Sequence, residues 1–310
     1  MKLFLREGAK MSEVKIKEIN YLSFGKCIEI SNNEIDVVIT LDFGPRIIRY
    51  GFIGEENMFC DNIDITLSTE YGEWKMIGGH RLWHSPERIP RTYIAEDKPV
   101  KCEKITNGVH VTSEVEQWVQ IQKEIEVTLS PTSSEVKIVQ KLTNKNAWPV
   151  ELSAWSITAM DAGGKEIIPL SRENTGLLPN RSIILWPYTR INDERVKWLD
   201  QYVIIDAKQT KDEVFKLGIN NKDGWAAYLN KGCLFIKRYE HCEGKTYPDY
   251  GSSYETYTNG KLIEMEILSP YEKLEVVASV ELKETWELKK GIKLAEINDE
   301  NIDKFVKDNI

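Results

Sequence analysis

The amino-acid sequence predicts an all-β fold, a large antiparallel β-sandwich with few short helices and a C-terminal helix. Three observations carry this. Short runs of β-branched and aromatic residues recur along most of the chain. Turn dipeptides fall between them, at Asn107-Gly108, Asp223-Gly224 and Asn259-Gly260. Helical periodicity is scarce.

The first strands are expected at 28–30, 35–41 and 47–52, bounded by Gly, Asn and Pro. The segment 109–129 alternates in two runs, first through Val109, Val111 and Val115, then over 121–129. Runs at 136–142 and 152–159 continue the pattern. Later ones follow at 182–186, 202–205, 225–229, 234–238, 262–268 and 274–282. A short helical turn is expected over 193–199. In the tail 299–310, Ile302, Phe305, Val306 and Ile310 stand near helical spacing, with Asp299 as N-cap. No fixed-period repeat or low-complexity linker divides the chain. The expected organisation is a flexible tail over 1–13, a single β-sandwich domain over 14–290 and a helical tail over 291–310. Met11 offers an alternative start.

Composition sets the limits. The 310 residues carry 41 Lys plus Arg against 49 Asp plus Glu, a net charge of 41 − 49 = −8. At 41% hydrophobic the chain is too apolar for a disordered one. No stretch of about 20 apolar residues exists, so no membrane partner is expected. An acidic chain without a basic patch makes nucleic acid an unexpected partner as well. The five cysteines are scattered and form no CxxC pair, which argues against a cysteine zinc site and for reduced thiols in a cytoplasmic protein. The first residues lack the apolar core of a signal peptide. Homo-oligomer formation stays open.

Three clusters hold the candidate chemistry. Residues 78–91, GGHRLWHSPERIPR, bring together His80, Arg81, Trp83, His84, Glu87, Arg88 and Arg91. Gly78-Gly79, Pro86 and Pro90 mark this stretch as a loop. As a pocket wall it would offer histidine for proton transfer, arginine for hydroxyls or an anion, and tryptophan for stacking. A solvated loop whose Trp83 plugs the core is the bland alternative. His80 and His84 are four apart, but their Gly and Pro neighbours do not suit a helical metal pair, and no metal is expected. The second cluster, 247–266, holds Asp249, Glu255, Glu264 and Glu266; the last two share one strand face, where like charges raise a pKa. The third, 178–195, holds Arg181, Trp186 and Tyr188, which suit a hydroxylated ligand or simply a structured loop. Trp74, Trp83, Trp186 and Trp225 lie among polar turn residues, where tryptophan packs on sugar rings. No P-loop, GxGxxG, GxSxG or local Cys–His motif is present, so no cofactor is expected.

Residues 42–59, DFGPRIIRYGFIGEENMF, resemble the opening of the aldose 1-epimerases, the galactose mutarotases. Residues 141–155, KLTNKNAWPVELSAW, resemble their Thr-Asn turn into a strand, and 268–288, ending in ETWEL, resemble their closing strands. GGHRLWHSPE and GWAAY are similar to an uncharacterised bacterial branch of that superfamily. The resemblance spans roughly residues 14–290 and implies a mutarotase-like sandwich that binds sugar.

Such enzymes interconvert anomers without a cofactor, using a carboxylate base and a histidine acid. Carried over, the resemblance implies Glu255, in Glu255-Thr256, as the base, with Glu264 as second choice. Arg81 would be the arginine after the glycine pair. The family's middle histidine falls on Trp155, so His80 or His84 would have to supply the acid. Glu87, Arg88, Arg181, Trp186, Tyr188, Trp225 and Asp249 would join Arg81, Trp83, Trp155 and Glu264 around a small carbohydrate. Three functions are carried forward: an aldose 1-epimerase-like isomerase, a non-catalytic carbohydrate-binding protein, and a lyase or hydrolase on the same sandwich.

Overall fold

A computed structural model describes residues 13–61, 65–208 and 213–310. Among these residues the strands form an eleven-stranded and a ten-stranded antiparallel sheet, plus a separate hairpin of Thr66–Thr69 and Gly72–Lys75. The larger sheet runs from the edge strand Lys15–Asn20 through Lys26–Ser31, Ile35–Thr40 and Arg46–Phe52 to His80–Ser85 and Val150–Asp161. It continues through Leu262–Leu268, Tyr254–Thr258 and Phe215–Ile219 to the edge strand Ile183–Leu185; the eleventh strand, Glu272–Leu274, pairs with Val150–Asp161 off this path. The smaller sheet has Cys233–Tyr239, Ser279–Lys290 and Val136–Asn144 at its centre.

Alternation decides which face of each strand is covered. Along Ile121–Leu129 every second residue is buried, among them Ile121, Ile125, Val127 and Leu129. The apolar faces of the two sheets meet in one core. Trp286 is fully buried there, its ring 5.4 to 5.8 Å from those of Phe59, Tyr50 and Phe235. The helix Asp299–Asn309 packs Ile302 and Phe305 against Tyr202, Ile204 and Trp225 on the outer side of the smaller sheet. Its N-cap is Asn298, whose side chain accepts from Asn301 N at 2.9 Å, one residue before the expected Asp299. No described helix is long and apolar enough to cross a membrane.

Several expectations need correction. The cluster 78–91 is not all loop, because His80–Ser85 is a full strand between Arg46–Phe52 and Val150–Asp161. The glycine pair serves its entry: Gly79 has φ +65°, and a Cβ there would lie 2.3 Å from Ile47 O. Residues 193–199 contain a strand, Val196–Trp198, instead of a helical turn. Its partner Tyr202–Asp206 supplies the ladder, while Arg195 folds back on Asp193 in a two-pronged ion pair of 3.0 and 2.8 Å. The structure adds strands to those expected from the sequence, among them Lys101–Ile105, Lys165–Pro169 and Phe215–Ile219. Most of the expected tail 1–13 lies outside the described residues.

Candidate functional site

Five neighbouring strands of the larger sheet carry the site on their outer face. Register places Trp83 beside Trp155 and Trp155 beside Leu268. One pleat on, Arg81, Ile157, Glu266 and Glu255 form a row across four strands. The next row brings Glu264, Tyr257 and Lys216 side by side. Residues of opposite parity, such as Leu82, Met265, Tyr254 and Leu217, point into the core.

Above these rows lies a cleft of about 590 Å³, within the range of small-molecule sites. The isolated hairpin forms one wall with Leu67, Trp74 and Met76; Glu87 and Tyr93 form another, and Trp186 and Tyr188 the third. Its floor is aromatic. Trp83 packs 5.5 Å from both Trp74 and Trp155, and 5.1 Å from Tyr93.

Charge is concentrated at the floor. Lys216 Nζ lies 2.8 Å from Glu255 Oε2 and donates to Glu266 Oε2 at 3.0 Å. It also sits 4.7 Å from the ring centres of Trp155 and of Trp186. Trp155 Nε1 donates to the same Glu266 oxygen at 2.9 Å. The other oxygen, Oε1, has no hydrogen-bond partner among the described residues. Arg81 donates to Glu264 Oε1 at 2.9 Å and lays its guanidinium 4.5 Å above the centre of Trp83. Burial works against the Lys216 ammonium, but Glu255, Glu266 and Glu87 outweigh it and raise its pKa well above the ordinary lysine value. Burial pushes Glu255 well up and Glu266 up, with Lys216 opposing both. Burial raises the pKa of Asp249 too, with Lys216 opposing it. The result is one ammonium holding a coupled pair of carboxyl groups whose proton affinity exceeds that of exposed glutamates.

The expected site residues divide between this cleft and other places. Arg81, Trp83, Glu87, Trp155, Trp186, Tyr188 and Glu264 line it, and so does Glu266. Glu255 is fully buried against Lys216, and neither it nor Asp249 lines the cleft. Both histidines are corrections. His80, Leu82 and His84 lie on the inner face of their strand, and both imidazoles are buried. Burial first of all pushes each imidazole down to about 3, so both are neutral and unsuited as acids. His80 hydrogen-bonds Thr158 Oγ1 at 2.9 Å and Gln140 Oε1 at 3.1 Å within the core. Trp225 belongs to the cluster beneath the C-terminal helix. Arg181 holds a loop through Ser171 O and Asp200 O, and Arg88 is exposed outside the cleft.

Sequence reasoning missed Lys216, Tyr93 and Tyr257. For Lys216 the signal was present: in 215–219, FKLGI, Phe, Leu and Ile alternate with Lys and Gly. That is a strand with an apolar inner face and one lysine on the outer.

No protein-family model matches the chain, and no curated protein does either. Solved structures do. A candidate aldose 1-epimerase from Klebsiella pneumoniae subsp. pneumoniae superposes with a TM-score of 0.57 at 12% identity, covering 91% of this chain and 85% of that one. A galactose mutarotase-like protein from Clostridium acetobutylicum gives 0.51 at 11% identity, over 90% and 99%. A TPR-domain containing protein from Parabacteroides distasonis gives 0.60 at 12% identity over 90% of this chain, which spans 51% of its length. At these identities the likeness establishes a galactose mutarotase-like fold and leaves activity to the site.

Proposed function

We propose that the cleft binds a carbohydrate and exchanges protons at its anomeric centre, interconverting anomers. The observation that carries this reading is the Lys216–Glu266 pair on an aromatic floor. Indole and phenol rings suit the apolar faces of a sugar, while the paired charges suit its hydroxyls. The mutarotase-like fold supports the carbohydrate class.

Glu266 acts as the base, since it lines the cleft while Glu255 lies behind it. Its carboxylate takes the proton from the anomeric hydroxyl as the C1–O5 bond breaks. The electron pair of that bond goes to the ring oxygen, which takes a proton from the Lys216 ammonium. Rotation about C1–C2 and reclosure give the other anomer. As the ring closes, Lys216 takes back the proton from the C5 hydroxyl and Glu266 returns its proton to the anomeric oxygen, so both groups regain their starting states and the cycle closes inside the site. Glu255 stabilises the lysine from behind.

A specific observation favours a second reading, non-catalytic carbohydrate binding. Trp155 occupies the position where the resemblance implies a histidine, and His80 and His84 face the core. Exchange NMR on the anomeric protons of an aldose panel separates the two. Exchange above the buffer rate, abolished in Glu266→Gln, supports the epimerase; binding without exchange supports the second.

A further inference from the structure

The geometry points to a neutral, two-ring reducing saccharide as the ligand of this cleft, its reducing ring over Glu266 and Lys216 and its second ring beyond Tyr188. This rests on reading the cleft as a sugar site.

Three observations lead here. The first is length. The 590 Å³ cleft does not end at Tyr188; Tyr188 and Val214 also border a second hollow of about 200 Å³, lined further by Arg190, Asp193 and Glu213. The charged centre therefore stands partway along a longer groove, and a single pyranose over Glu266 would leave the Tyr188 end unfilled.

The second is the surface each ring would meet. Tyr188 is 48% exposed, so it offers an open aromatic face between the two hollows. Beyond it, the Arg190–Glu213 ion pair, 3.5 Å long, keeps 70% and 48% of its two side chains exposed. Such groups donate to and accept from hydroxyls at little desolvation cost.

The third is charge. Among the described residues, both cations lining the main cleft are already engaged, Arg81 by Glu264 and Lys216 by Glu255 and Glu266. Glu87 adds a further carboxylate to the lining. A phosphate or uronate at the reducing ring would meet three lining carboxylates with both cations committed, so an uncharged saccharide fits best.

The test is calorimetric binding of glucose and galactose against lactose, maltose and cellobiose, with glucose 6-phosphate and glucuronate as anionic probes. At least one disaccharide should bind roughly tenfold more tightly than its own reducing-end monosaccharide. The anionic sugars should bind more weakly than glucose. Tyr188→Ala and Arg190→Ala, checked for a cooperative melt, should narrow the disaccharide preference. Equal affinity for one and two rings overturns the proposal, as does tighter binding of the anions. Exchange NMR on the same sugars separates this from the acid–base reading. Disaccharide preference without exchange ends that reading and leaves the two-ring ligand intact. Exchange at equal kcat/KM on one and two rings does the reverse, and no binding of any sugar ends both.

Discussion

Lys216 and Glu266 face each other across 3.0 Å, with the Trp155 indole N–H held against the same carboxylate oxygen at 2.9 Å. Neither partner is free to leave. Lys216 is 4% exposed and Glu266 1%, and the lysine is also committed to Glu255. Ion pairs this deep are costly to form and costlier to break, because a lone charge is left without water.

Lys216→Met should therefore do more than remove a proton donor. It leaves Glu255 and Glu266 beside each other without the ammonium that opposes their protonation, and both move toward the protonated form. Chemical denaturation should show a loss of about 3–5 kcal/mol. An unchanged midpoint would mean that the carboxyl pair does not depend on the ammonium.

The proposed base must be ionised to act. Burial raises Glu266 above the ordinary carboxylate value and makes it the stronger base once ionised. Exchange should accordingly be absent in acid and rise with pH through an apparent pKa above 4.5, the ordinary value for glutamate. Because Glu255 is raised as well and linked through Lys216, that midpoint belongs to the pair. Glu266→Gln should lower exchange by about 10²–10⁴-fold while sugar still binds. A rate that ignores pH across the acid range excludes a carboxylate base.

Glu166 offers a stability test away from the cleft. It lies in the core, accepting from Tyr254 OH at 2.5 Å and Thr256 Oγ1 at 2.6 Å, the two neighbours of Glu255 in sequence. Burial pushes it up to about 8 from the ordinary glutamate value of 4.5. The folded state thus holds a proton that the unfolded state has released between those two values. Its contribution to stability is full below about pH 4.5 and is lost as pH rises toward 8. Glu166→Gln mimics the protonated form, so the melting temperature of the variant should fall less than the parent's between about pH 5 and pH 9. Parallel falls in both proteins would show that Glu166 is already ionised when folded.

The sequence made the sandwich legible because its strands alternate and its turns use Asn-Gly and Asp-Gly pairs. The carboxylates were legible for the same reason: Glu264 and Glu266 are two apart in a strand, and they do share the outer face. What stayed hidden was which face of each strand looked outward. His80 and His84 share a parity, and so do Arg81 and Trp83; only the pairing with Val150–Asp161 turns the first pair into the core and the second into the cleft. Composition drew attention to the histidines, whereas register selected the arginine and tryptophan. Lys216 stands in a strand of only five residues, so the alternation that marks it is a short signal.

Register also hides the role of residues that never reach the cleft. Trp118 does not line it, yet its ring stacks on Tyr71 at 4.8 Å with planes 13° apart. Tyr71 sits at the tip of the hairpin whose other residues, Leu67, Trp74 and Met76, form a cleft wall. The hairpin strands pair only with each other among the described strands, so side-chain contacts must hold the wall in place. A stacked aromatic pair contributes about 0.5–1.5 kcal/mol beyond its buried area. Trp118→Ala should then loosen the wall and weaken ligand binding by up to roughly tenfold. The global melt should hardly change, because Trp118 is 55% exposed and outside the main core. Calorimetry on the variant decides it: undiminished affinity would mean that Trp74 and its neighbours are held from the cleft side alone, through Trp83 and Tyr93.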